Sequence, residues 1–290
     1  MNSKLLHTRH LILTAAALYL ISYVSLPSRA QETDSLTGRR FVTHATLIGT
    51  GRSSVYETYL SPTTYSGPHV SLLHESLRMT RWADGRVTIQ SIVDGFFAFT
   101  HNHVGNSDEY GGKINYSLGY HYNWIVADGK LRLMAGGELH VGGGAFYLER
   151  NSNNPVQAKA DIDIDASVIA IFPFRIKRTP FTLRYQASLL LIGAMFSPNY
   201  GQSYYEISLG NYDHNVCFTH TGNSPTTRHY LTLDFPLGNA TFRAGYLCDI
   251  RQSRVNNLRS HIWNNSFLIG YVKHFSFFKR KTAQQQPFIF

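Results

Sequence analysis

The chain has 290 residues with only 16% charged side chains and 13% aromatic ones, including 18 Tyr and 18 Phe, a balance unusual for a soluble globule and suited to a lipid–water interface. The net charge of +9 does not mark a nucleic-acid binder, because Lys and Arg are scattered and Lys279-Arg280-Lys281 is the one dense basic run. Beyond the N-terminal region no stretch offers about 18 uninterrupted apolar residues, which excludes a helical membrane protein.

The first thirty residues are laid out as a secretory signal peptide. Lys4, His7, Arg9 and His10 precede an apolar run from Leu11 to Leu26, which Pro27 closes before Ser28-Arg29-Ala30. Cleavage near Gln31 is expected, and no Cys stands there to take a lipid. Residues 31–290 show no linker or shift of composition and are read as one domain.

After a strand beginning near 41, the chain carries Gly49-Thr50-Gly51, then Tyr56-Glu57-Thr58-Tyr59-Leu60-Ser61-Pro62, then Tyr65-Ser66-Gly67. This resembles the signature of an uncharacterised family of outer-membrane proteins, a domain of unknown function found chiefly in Bacteroidota. That family has Thr-Tyr-Leu-Ser-Pro followed by Tyr-x-Gly, usually with Asp where this chain has Glu57. The resemblance implies an outer-membrane barrel and supplies no activity or catalytic residues. Physically, Ser61-Pro62 and Gly67 enclose a turn-rich connection, and the plainer expectation is that it folds over a barrel mouth and packs Tyr56, Tyr59 and Tyr65. The alternative is a ligand-recognition loop.

The next strand holds His69-Val70-Ser71 and His74-Glu75-Ser76. Outer-membrane lipid hydrolases place His and Ser at this spacing on one strand face, so His74 and Ser76 are the catalytic candidates. Where those enzymes keep an orienting residue, this chain has Val87, Thr88 and Ile89, which cannot do that work. The expectation is therefore no catalytic site. After an alternating strand from Val87 to Phe99, His101 and His103 stand near Asp108 and Glu109 as metal-ligand candidates, with a solvated polar loop as the plainer expectation.

From Ile114 to Trp124 the even positions are Ile, Tyr, Leu, Tyr, Tyr and Trp, and the odd ones are polar or Gly: a strand with one greasy face. Between 131 and 147 the polar face carries Arg132, Glu138 and His140; Gly136, Gly137, Gly142, Gly143 and Gly144 ease bending and packing there. From Ala158 to Phe172 aliphatic residues alternate with Asp161, Asp163 and Asp165, which cannot face hydrocarbon and so must face a polar interior. Arg184, Arg243 and Arg251 lie on the polar faces of later strands and are expected to complete a charge network. Cys217 and Cys248 could bond in an oxidising envelope, although the strand reading puts another strand between them, which makes free thiols the plainer expectation.

These alternations exceed ten residues, the length of an outer-membrane strand rather than of a soluble sandwich. Asp84-Gly85, Asp128-Gly129 and Gly238-Asn239 mark short turns; longer polar segments alternate with them at His101–Gly111, Arg150–Gln157, Ser197–Gln202 and Arg251–Asn257. The expected fold is an all-β transmembrane antiparallel up-and-down barrel of about twelve strands, starting near 41, 68, 86, 112, 130, 157, 180, 203, 214, 226, 240 and 260. Those near 203 and 214 are the least patterned, leaving ten as the other count, and an even count puts both termini in the periplasm. The last strand, 267–277, resembles the C-terminal insertion signal of such barrels, followed by a tail 279–290. No cofactor is expected. The partners expected are outer-membrane lipid, the barrel-insertion machinery and an envelope protein, with no nucleic acid. The functional expectation is a non-enzymatic structural, binding or accessory barrel; the rivals are a narrow solute or ion channel and a lipid hydrolase or acyltransferase.

Overall fold

The computed structural model describes residues 39–278 except 128, 129 and 153. The segment 1–30, the tail 279–290 and the Asp128-Gly129 turn therefore lie outside the described residues. Eleven strands follow in order: β1 Arg39–Glu57, β2 Thr64–Met79, β3 Val87–Asn102, β4 Asp108–Val126, β5 Leu131–Leu148, β6 Val156–Ile176, β7 Thr179–Phe196, β8 Val216–His220, β9 Thr227–Leu237, β10 Ala240–Val255 and β11 Leu258–Phe278. Successive strands pair antiparallel, and β1 pairs along its full length with β11, closing the sheet.

The closed ring has ten positions, because β8 and β9 share one. β9 pairs with Thr182–Leu189 of β7, and β8 continues the same wall against Ile192–Phe196. The intervening residues 221–226 are tied to both neighbours: Thr221 Oγ1 donates to Leu190 O (2.7 Å), and Ser224 Oγ to Gln252 O (2.9 Å). The strands expected near 214 and 226 are both present, as β8 and β9, but they fill one position of the ring, one of two differences that give the count of ten rather than twelve. The strand expected near 203 is instead a helix, α1, Tyr204–Ser208. Its cause is legible: Ser203 and Glu206 form a reciprocal capping box that satisfies the first-turn N–H groups. The expected loop 251–257 is also shorter, since β10 runs to Val255 and Asn256-Asn257, both with positive φ, make the turn.

Following Cα partners from Ala166 through β5, β4, β3 and β2 reaches β1 at Val42; the other way, through β7, β9, β10 and β11, reaches it at Ser54. The twelve residues between them are the shear of the barrel, which with ten strands fixes a strand tilt of about 40°. Both described chain ends lie at one end of the barrel, here the terminal end, with the connections 80–86, 127–130, 177–178 and 238–239. The far end carries 58–63, 103–107, 149–155, the 197–215 connection and the Asn256-Asn257 turn.

Period two sorts the side chains. On β4 every outward residue from Ile114 to Trp124 is apolar or aromatic, while Lys113, Asn115, Ser117, His121 and Asn123 are buried inside. The interior also holds apolar residues that share the polar parity. Leu77, Met134, Ile169 and Ile171 meet across the terminal end; Val55, Leu60, Tyr65, Phe146, Leu148 and Ile262 meet across the far end. Both mouths are thus bridged by side chains from opposite walls. Gly136 lies where a Cβ would collide with the Tyr120 carbonyl, so the close approach of β4 and β5 requires glycine there.

Candidate functional site

Between the two apolar ends the interior holds charge pairs that cross it, beside a third apolar cluster that includes Leu47, Leu73, Ile92, Tyr230, Leu247 and Leu268. Glu75 on β2 accepts from Arg184 on β7, from Arg243 on β10 (2.5 Å) and from Gln90 on β3 (2.7 Å). Arg243 also forks onto Asp234 (2.6 and 2.8 Å). Gln186 extends the layer by donating to Glu138 (2.7 Å) and Gln90 (2.9 Å), and Ser188 donates to Glu138 (2.9 Å). A second layer centres on Asp161, which pairs with Lys113 and Arg251 (3.4 Å). Arg251 has donors only, so its 2.9 Å contact makes His140 Nε2 the acceptor and leaves Nδ1 to donate to Ser117 Oγ (3.0 Å). Arg228 reaches Asp94 (2.8 Å), and Lys159 reaches Glu57.

Ring position shows what these pairs do. β2 and β7, β3 and β9, and β1 and β6 are each five positions apart in a ring of ten. Glu75–Arg184, Asp94–Arg228 and Glu57–Lys159 therefore span the full bore at three levels. A buried pair of this kind contributes little net stability but costs about 3–5 kcal/mol to break on one side, because the remaining charge is left uncompensated.

At the far mouth the 58–63 connection turns inward. Tyr59 donates its hydroxyl to Gln202 O (3.0 Å) and packs edge-on against Tyr204. Tyr65 is buried and donates to Ser107 (3.1 Å); Ser61 bonds Thr63 (2.9 Å), Pro62 is exposed, and Tyr56 is half-buried on the outer face of β1. Gly67 lies against the Phe99 carbonyl, where a Cβ would collide. Burial, with Tyr204 and Glu206 nearby, pushes the Tyr59 hydroxyl up to about 12.

The outer wall is uneven. From β3 to β7 it is almost wholly aliphatic and aromatic. On the remaining arc the outward residues Arg52, Asn265, Cys248 and His229 form one row, each the Cα partner of the next. Tyr246 donates to Asn265 (2.7 Å), Tyr185 bonds His229 (2.8 Å), and Thr46 bonds His74 (2.9 Å).

Residues 11–282 match the model of the family described as "Protein of unknown function (DUF3316)". The chain belongs to that family. Among curated proteins none matches it. Among solved structures, the transport unit of the autotransporter AIDA-I from Escherichia coli is 11% identical, with 89% of this chain and 97% of that one covered and a TM-score of 0.41. The β-domain of the Bordetella autotransporter BrkA is 12% identical, covering 81% and 98%, TM-score 0.39. The COG4313 outer membrane channel from Pseudomonas putida F1 is 10% identical, covering 82% and 96%, TM-score 0.34. At these scores the likenesses bear on neither activity nor partners.

In this DUF3316 barrel the sequence-nominated residues fall in three places. Glu138, His140, Asp161, Arg184, Arg243 and Arg251 join the two layers; Asp163 meets Thr219 (3.4 Å), Asp165 is buried without an ion pair among the described residues, and Arg132 is half-buried towards the terminal end. His74 and Ser76 both face outward, with the His74 ring bonded to Thr46 and stacked on His44. His101 and His103 are exposed at the far rim, and the cluster with metal-ligand spacing among the described residues is instead His140, Asp161 and Asp163. There Lys113 and Arg251 already neutralise Asp161, so the cluster is part of an ion-pair layer. Cys217 and Cys248 are free thiols. Spacing did not nominate Glu57, Glu75, Asp94, Lys113, Lys159, Arg228, Asp234 or Asp249 for the interior network, although inward parity was the available signal.

Proposed function

We propose that this DUF3316 member is a closed, non-enzymatic barrel of the outer membrane of Bacteroidota, both termini periplasmic, serving as a binding or accessory subunit of an envelope complex. The observation that carries the reading is the set of ion pairs joining opposite walls at three levels, Glu75–Arg184 and Asp94–Arg228 between the two apolar ends and Glu57–Lys159 within the far one. A conducting pore needs a continuous wet path, and this interior supports the filled-barrel alternative. Membrane insertion is supported by the outward apolar band and by aromatics at both its edges: Phe97, Phe99 and Tyr147 towards the far end, Trp124, Phe172 and Phe174 towards the terminal end. The short turns at the terminal end support the orientation.

The outward polar arc supports the accessory role. With each step along the register row climbing about 3 Å at this tilt, His229, Cys248, Tyr246, Thr50, Thr46 and His74 fall midway between the two aromatic bands. Hydrogen-bonding groups in hydrocarbon are costly, and a neighbouring membrane protein would cover them. Photocrosslinkers placed at Thr50 and Cys248 should capture one envelope protein in intact cells, and one at Leu139 on the apolar arc should not. Equal labelling from all three positions would remove the docking face from the account.

A further inference from the structure

The β10–β11 hairpin carries an arrangement that neither a filled lumen nor a protein partner explains. Arg254 and Arg259 are direct cross-strand partners beside the Asn256-Asn257 turn, and both are exposed on the outer wall. Like charges placed opposite one another on a sheet repel, and neither guanidinium makes an ion pair among the described residues. One pair lower on the outer face, Gln252 opposes His261; one pair lower again, Ile250 opposes Trp263, whose ring lies 4.4 Å from that of His261. Charge, then amide and imidazole, then an interfacial aromatic and an aliphatic side chain descend in that order. Arg52 flanks the site on β1, long enough to reach upward from its own level. No carboxylate faces outward on β1, β2, β10 or β11 among the described residues: Glu57, Glu75 and Asp249 all point inside. Asn256 of the turn donates to His214 O (2.9 Å), but the neighbouring Asp213 pairs with the His214 ring (2.7 Å) rather than with either arginine.

We infer that this hairpin binds a phosphate-bearing lipid of the far-end leaflet, its phosphate held between Arg254 and Arg259 and its chains laid over Trp263 and Ile250. The guanidinium forks suit phosphate oxygens, and an anion between them turns the cross-strand repulsion into a shared contact. The inference rests on the membrane-spanning reading, which is checked separately by reconstituting the barrel into vesicles with brominated acyl chains and following tryptophan quenching.

The test uses the full chain purified in neutral detergent, mixed with diphosphorylated lipid A or with the same lipid stripped of its phosphates, and weighed by native mass spectrometry. One phosphorylated lipid should stay bound, the stripped lipid should not, and the Arg254→Gln/Arg259→Gln variant should retain about tenfold less. Arg175→Gln/Arg178→Gln at the other end should leave retention unchanged. Equal retention of both lipids, or undiminished retention by the hairpin variant, overturns the site. Inorganic phosphate competing as well as the lipid overturns the lipid as its occupant. Should the hairpin variant fail to fold, the wild-type comparison of the two lipids still decides. Loss of quenching in vesicles would instead remove the membrane reading itself.

Discussion

Glu75 stands in the sequence between His74 and Ser76, the pair that spacing nominates for lipid hydrolysis, and it faces the opposite way. It is buried against Arg184, Arg243 and Gln90, so Glu75→Gln leaves Arg184 without a counter-charge inside the barrel, while Arg243 keeps Asp234. The expected loss is about 3–5 kcal/mol, read as a fall in urea midpoint, while Glu206→Gln at the exposed cap should move that midpoint far less. Tyr59 gives a second residue-scale prediction. Its hydroxyl is raised from 10.0 to about 12, so what its neutral form contributes is complete below pH 10 and is lost as pH rises through about 12. Phenolate absorbance in wild type minus Tyr59→Phe should show a group titrating well above free tyrosine; titration near 10 would contradict its packing in the mouth. At this scale parity was legible, which is why Asp161, Asp163 and Asp165 could be assigned inward from their apolar neighbours. Partners were not, because Asp94 and Arg228 are 134 residues apart and meet only once the ring closes.

Strands were legible wherever one face is greasy over ten residues, as from Ile114 to Trp124. The sequence-based expectation failed between 197 and 226, for two physical reasons. A capping box outweighed a short aromatic pattern to make α1, and one wall position was built from two fragments that no local signal joins. Glycines on β5 provide the test of element packing. A Cβ at Gly142 would stand 2.7 Å from Asp161 Oδ2 and Lys113 Nζ and 2.8 Å from Asn115 Oδ1, whereas at Gly143 the nearest atom is 4.0 Å away. Gly142→Ala should therefore destabilise by about 1–3 kcal/mol through crowding, and Gly143→Ala should be near neutral in the same denaturation assay. Equal costs would mean that the ion-pair layer tolerates an inserted methyl.

For the whole molecule, a barrel of ten positions and shear twelve is narrow enough for long side chains to meet across it, as Lys159 does with Glu57 and Arg184 with Glu75. The sequence pattern specified an inward polar face but did not reveal that apolar residues on that same face, such as Met134 and Phe146, would seal the ends, because parity says nothing about height along the barrel. The interior is therefore crossed by charged layers, with a space beside them lined by Lys113, Lys159, Asp161, Asp163, Thr219 and Arg251. The most direct test of the filled interior is single-channel recording from the purified barrel in planar bilayers, with insertion verified by protease protection. The closed-barrel account predicts a current indistinguishable from the bare membrane; regular, reproducible conductance steps from the wild-type protein would contradict it.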